Sequence, residues 1–346
     1  MIETPSLYKR PEPKVVGSAS AEKKAQVIQG IQENFSDNRA QLNKFAIDKL
    51  KVLEYPKRDF EEAAIKDINV VLNDILVEVG AEPFDITEDN IYIVPKSVYQ
   101  EIYGEQTDSS GHADPRRQYA AINAEETNHP YSRISIILHE MIHLKGFVSL
   151  EATEESDALR RVGLQTHSSI AKSEEAKKEF RHFTGLNEAV VAELQKRLTP
   201  TLIARNPFLK DERAEDETTE NQDLVQEIAK RNNLPANELF AVRKTGSESN
   251  EYYTYSYRNQ REVLDYILDS IQQSSPETFP SKDEVFLLFL QGHFKGDLLP
   301  LARAIKTTFG VDALLVIGMM SAKDEESCQQ VLAYLKRHGG HKRGSK

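Results

Sequence analysis

Apolar residues recur at helical spacing along most of the chain, interrupted by two short runs of strand character. Ala25, Ile28 and Ile31 mark a helix over 21–33, and Ser36 is an N-cap for another after it. The strongest amphipathic pattern covers 60–79. There Ala64, Ile65, Ile68, Val71, Leu72, Ile75, Leu76 and Val79 share a face, and Gly80 ends it. Strands are predicted at 91–94, bounded by Asn90 and Pro95, and at 119–124. An apolar helix over 132–145 follows, and another opens near Leu186 and closes in the region of Pro200 and Pro207. The charged run 211–220 reads as solvated loop or helix end. Helices are then predicted at 223–231, 258–271, 281–294, 297–309 and 325–337, with a Tyr-rich stretch near Tyr252 between the first two.

This order predicts an α+β protein with a mostly helical C-terminal half. Residues 1–20, rich in Pro, Ser, Lys and Glu, are expected to lack order, and 21–55 to form a helical extension. A core is expected over 56–205, a helical subdomain over 206–335 and a basic tail over 336–346. A chain of 346 residues with 39% hydrophobic content can bury a sizeable core. The net charge of −11 argues against nucleic acid or anionic membranes as partners. The first residues lack the apolar run of a secretory signal, and no stretch approaches a membrane span. A single cysteine, Cys328, excludes an internal disulfide and a thiolate metal cluster, which points to the cytoplasm.

The chemistry concentrates at His139-Glu140-Met141-Ile142-His143. Residues four apart on a helix lie one above the other, so His139 and His143 present two imidazoles to one point. Glu140 sits about 100° round the same helix, beside that point, where a carboxylate can accept a proton from a metal-bound water. Zinc lowers the pKa of such a water towards ~7 and polarises a peptide carbonyl. The bland alternative is two satisfied core histidines beside a surface glutamate. Ile134, Ile136, Ile137, Leu138, Met141, Ile142 and Leu144 count against it, because a helix this apolar is buried and does not usually carry such groups without partners.

A catalytic zinc site needs a third protein ligand and an open position. In metzincins a glycine three residues past the second His is followed three later by a third His. Gly146 matches the glycine, but Ser149 stands at the ligand position, so Gly146 is read as a helix cap. Phe183-Thr184-Gly185-Leu186-Asn187-Glu188-Ala189-Val190, with Arg161-Val162-Gly163-Leu164 before it, resembles the corresponding segments of small gluzincins, the thermolysin-like peptidases. That resemblance implies a zincin-like core with a small mixed sheet, a bound Zn2+ and Glu188 as third ligand. Such families place an acid one turn after the ligand Glu to orient a histidine; here that position is Ala192, and the nearest acid is Glu193. Competing ligands are Glu151, Glu154, Glu155, Asp157 and His167.

Tyr257-Arg258-Asn259-Gln260-Arg261 is similar to a Tyr-x-x-Glu-Arg segment of some small gluzincins, with Gln260 in place of the acid. The resemblance implies Tyr257 as the donor to the oxyanion, with Tyr255 second. The alternative is a plain strand with Tyr253, Tyr255 and Tyr257 on one packed face. Zincins also bind substrate backbone along an edge strand upstream of the metal helix, and 119–124, with small Ala120, Ala121 and Ala124, occupies that place. The expected function is therefore a zinc-dependent endopeptidase acting on a peptide or protein. The runner-up, suggested by Ala192, is a catalytically inactive zincin-fold protein that binds zinc or regulates. A zincin joined to a DNA-binding unit lacks a basic helix-turn-helix, and a deformylase needs an upstream cysteine that Cys328 cannot supply.

Overall fold

The computed structural model describes residues 11–32, 48–104, 109–171, 177–216, 218–244 and 250–339. The chain is α+β, as its order of elements predicts, and among the described residues its strands form three sheets. The proposed helix after Ser36 lies outside the described residues, as does most of the basic tail.

Two helices frame the site. The motif helix, Pro130–Lys145, begins with proline at its first turn, where no N–H is required, and ends at Gly146. Ile134, Ile137, Leu138, Met141, Ile142 and Leu144 on it are fully buried. Each such side chain stabilises the fold by about 1.5–3 kcal/mol relative to exposure. The helix packs between Asp59–Glu78 on one side and Thr184–Arg205, the Glu188 helix, on another. Contrary to the sequence expectation, the Glu188 helix does not stop at Pro200 but carries it internally and runs on to Arg205. Pro200 is exposed, so water can serve the backbone acceptor that it leaves without a donor.

Beside the motif helix lies a three-stranded sheet of β2 (Ile91–Val94), β3 (Gly111–Asp114) and β4 (Tyr119–Asn123), in the order β2-β4-β3. β2 pairs with β4 in parallel and β3 with β4 antiparallel. This corrects the edge-strand expectation. β4, with all five residues buried, is the central strand, and β3 supplies the edge next to the motif helix.

The largest sheet had no counterpart in the predicted elements apart from a short strand expected just before His167. It joins β1 (Lys14–Val16), β5 (Val148–Ala152), β6 (Asp157–Val162), β7 (Gln165–Ala171) and β8 (Lys177–His182) in the order β1-β5-β6-β7-β8. β1 lies in the stretch expected to lack order and pairs in parallel with β5, while the other pairings are antiparallel. β9 (Leu239–Lys244) and β10 (Asn250–Thr254) form a separate hairpin. The C-terminal helices Arg258–Ser274, Lys282–Leu290, Leu299–Phe309 and Glu325–His338 follow the predicted order. The segment Gln291–Lys295 is a π-helical turn. One apolar core runs from Phe60 to Leu335 without a break at residue 205.

Two buried ionic groups fix the motif helix. Arg133 bonds the Glu61 carboxylate at 2.8 Å and the carbonyls of Ala124 and Thr127 at 2.8 and 3.0 Å, tying the helix start to the loop after β4. Lys145 at the other end is 2% exposed, bonded to Asn73 Oδ1 at 2.8 Å and to the Phe84 carbonyl. Burial pushes its pKa down to about 7, against the opposing pull of Asp85. Below about 7 the folded and unfolded chains both hold this proton; from there to the ordinary 10.5 only the unfolded chain does. Stability should therefore rise as pH climbs through that window, by on the order of 2–4 kcal/mol from this group. Urea unfolding at pH 6.5, 8 and 9.5 checks this: Lys145→Met should flatten the rise, and an equal slope in both proteins would refute it.

Candidate metal centre

His139 and His143 stand one turn apart on the motif helix, and the Glu188 helix brings its carboxylate up against both. The three ligand atoms are His139 Nε2, His143 Nε2 and Glu188 Oε2, separated by 3.2 Å between the nitrogens and by 3.4 and 3.3 Å from each nitrogen to the oxygen. A tetrahedral zinc with bonds of ~2.0–2.1 Å requires its ligand atoms about 3.3 Å apart. All three edges match that spacing. Among the described residues this trio is the cluster of His, Cys, Asp and Glu whose donor atoms converge closely enough to hold an ion.

The surroundings fix which nitrogen faces the centre. Gln195 Nε2 donates to the Ser135 carbonyl at 2.9 Å and to Ser135 Oγ at 2.8 Å, so its Oε1 must be the atom 3.0 Å from His139 Nδ1. That oxygen can only accept. A neutral His139 therefore carries its proton on Nδ1 and turns the Nε2 lone pair inward. Thr199 donates to the Gln195 carbonyl at 2.8 Å, and Gln195, Ser135 and Thr199 are all buried.

The electrostatics favour a cation. Burial alone would raise the Glu188 pKa, but in the metal-free site the protons that the two imidazoles can hold against the carboxylate keep it far below the usual carboxylate range. Burial alone would lower His139, and Glu188 reverses this to leave it raised. The carboxylate stays ionised and draws positive charge to the point where the three atoms meet.

The first turn of the Glu188 helix is held from far along the chain. Phe183 adopts a left-handed backbone with φ of 61°, and its N–H bonds the Gly318 carbonyl at 2.8 Å. Gly185 N–H bonds the Met320 carbonyl at 2.9 Å. Asn187 Oδ1 accepts from Leu164 N–H at 2.9 Å, which joins the two segments that carry the family resemblance. Gly163, with φ of 54°, is required there, because a Cβ would fall 2.5 Å from Asn187 Oδ1 and from His293 Nδ1. Arg161 spreads its guanidinium over the carbonyls of Gly163, Gly292 and Gly296.

Glu140 is 5% exposed beside β3, and its position depends on Gly111. A Cβ on Gly111 would lie 2.6 Å from Glu140 Oε1, 2.9 Å from its Cγ and 2.9 Å from Ile136 Cγ2. Tyr257 stacks over His139, with ring centroids 5.9 Å apart and planes 17° from parallel. It caps the helix Arg258–Ser274 in a left-handed conformation, φ 58°, which costs about 1–2 kcal/mol in a residue with a side chain and marks a held position. Burial, then the charges of Glu188 and Glu140, raise its pKa well beyond the ordinary range, so the phenol keeps its proton. Arg261 fastens this loop by bonding the Ser256 carbonyl at 3.1 Å and Glu238, and Gln260 bonds the carbonyls of Ser321 and Ala322.

Several sequence candidates fall elsewhere. Tyr255 is buried against Phe240, with rings 4.9 Å apart, away from the three ligands. β10 ends at Thr254, so Tyr253, Tyr255 and Tyr257 do not share one strand. Glu193 pairs with Arg197 at 2.8 Å, and Ala192 is packed in the core. Asp157 pairs with Arg116, Glu154 accepts from Ser20 N–H and Glu151 faces Arg160. Glu155 is exposed on the turn between β5 and β6, and His167 bonds Gln165 on β7. Two residues escaped the sequence reading. Gln195 lies two turns after Glu188 on the same face, a spacing that could have been searched; Gly111 carries no sequence signal for its contact.

Comparison with protein-family models, curated proteins and solved structures returns no match.

Glu188→Ala removes the charged ligand while leaving both histidines. Zinc affinity, measured by chelator competition, should fall at least 100-fold with the thermal unfolding of the metal-free protein little changed. Full zinc occupancy in that variant would require a different third ligand.

Proposed function

We propose that this protein is a zinc-dependent peptidase of the zincin type, hydrolysing peptide bonds in peptides or proteins. The observation that carries the reading is the triangle of His139, His143 and Glu188, whose edges of 3.2–3.4 Å are those of a tetrahedral zinc site with one position left open. Supporting it, Glu140 and Tyr257 sit beside the triangle, and among the described residues β3 is the edge strand next to Glu140, with its Gly111 carbonyl accepting from the Ser109 hydroxyl. Bound there, zinc supplies Lewis acidity, which acidifies a water and polarises a carbonyl.

The remaining work belongs to side chains. His139, His143 and Glu188 hold the ion, with one carboxylate charge offsetting part of its two. Glu140 takes the proton from the attacking water and passes it to the nitrogen of the leaving amine as the C–N bond breaks. Tyr257, protonated over the whole neutral range, donates a hydrogen bond to the oxygen that gains charge in the transition state. The outer edge of β3 receives the substrate main chain as an added strand, which takes over the Gly111 carbonyl from the Ser109 hydroxyl. Ser110 and Asn123 form a bonded pair, with Asn123 N–H on the Ser110 carbonyl at 2.9 Å, and the antiparallel register turns the backbone groups of Gly111 and Ala113 away from β4.

Glu140→Gln keeps the shape of the site and removes the proton acceptor. Cleavage of a mixed peptide library should drop by about 10²–10⁴-fold with zinc content unchanged; undiminished cleavage would refute the mechanism. Gly111→Ala should push Glu140 from its place. Its turnover is expected to fall at least tenfold while zinc binding stays as in the unaltered protein, and normal turnover would show that the contact does not position the base.

A further inference from the structure

The string His139–Gln195–Ser135–Thr199 is buried throughout, and its central member is neutral. Histidines that bind metals usually give their second N–H to a carboxylate, a backbone carbonyl or a water. A carboxylate acceptor pulls the proton outward and makes the imidazole a stronger donor to the metal. An amide oxygen does this more weakly. Gln195 is nevertheless held firmly: its NH2 is committed to two oxygens of Ser135, one of them a backbone carbonyl, so the amide cannot turn over without losing both bonds.

We propose that Gln195 is the positioning residue of the metal centre, and that its neutral amide sets the strength of that centre. It fixes the inward Nε2 of His139 while leaving the ion more weakly held and more electron-poor than a carboxylate would. With Glu188 as the single anionic ligand, the ion and its three ligands carry a net charge of +1, and Gln195 adds no negative charge to that of Glu140 nearby. The proposal rests on the zinc reading given above.

The test uses the full chain and three variants, Gln195→Glu, Gln195→Leu and Ser135→Ala, with thermal unfolding of the metal-free proteins recorded beside zinc affinity. Gln195→Leu should weaken zinc by about 10–100-fold. Ser135→Ala retains the backbone acceptor and should weaken zinc less than Gln195→Leu. Gln195→Glu, which conserves shape, should tighten zinc by about tenfold and shift the visible d–d bands of the cobalt-substituted protein. A merely space-filling role predicts no tightening and an unmoved cobalt spectrum in Gln195→Glu, and that result overturns the proposal even if the leucine variant fails to fold. If the unaltered protein takes up no zinc, the metal reading itself falls, a result distinct from zinc binding that ignores residue 195.

Discussion

Two imidazole nitrogens and a carboxylate, brought within 3.4 Å of one another, repel unless a proton or a metal cation lies between them. That crowding is the constraint to which the rest of the molecule responds. Three atoms can be kept in such a place only by elements that have nowhere else to go. The motif helix is buried on nearly every face, is anchored at its start by Arg133 on Glu61 and is closed at its end around Lys145. The Glu188 helix is pinned at its first turn by Asn187 and by carbonyls from the far end of the chain. A site of this kind is stored electrostatic work, spent when an ion enters.

The same packing explains why Glu140 is not a free surface group. Glu140 lies where β3 comes closest to the motif helix, and a glycine at that crossing leaves room for its carboxylate and little else. Tyr257, on the other side, is fixed by a strained backbone and by Arg261, whose partner Glu238 is also reached by Lys196 of the Glu188 helix. The His139, His143 and Glu188 trio, Glu140 and Tyr257 thus share supports, and their relative placement is set by the same packed elements.

How much of this was legible beforehand depended on periodicity and chemistry. The helices followed from apolar spacing, and the His139/Glu140/His143 pattern followed because helical geometry makes that spacing meaningful. Glu188 could be reached only through resemblance, since nothing local distinguishes it from the acids at 151–157. The five-stranded sheet was missed because β6, β7 and β8 carry arginines, lysines and polar residues where alternating apolar positions would announce a strand. Gln195 was not legible because the resemblance points to an acid one turn after Glu188, where Ala192 stands. The structure uses an amide two turns on, on the same face, and orients it through Ser135 on the other helix.

The backbone of residues 318–321, which receives the first turn of the Glu188 helix, carries a consequence for the order of synthesis. His139, His143 and Glu188 have all left the ribosome long before Met320 does. Their two helices can form, but the bonds that hold the first turn of the Glu188 helix cannot, and Tyr257 waits for Gln260 to find Ser321 and Ala322. A nascent chain therefore holds all the ligands while lacking the frame that aligns them. If the centre cuts peptides, its competence arrives only once residues 318–322 have been made, well after the ligands themselves, which spares the unfinished protein from its own chemistry.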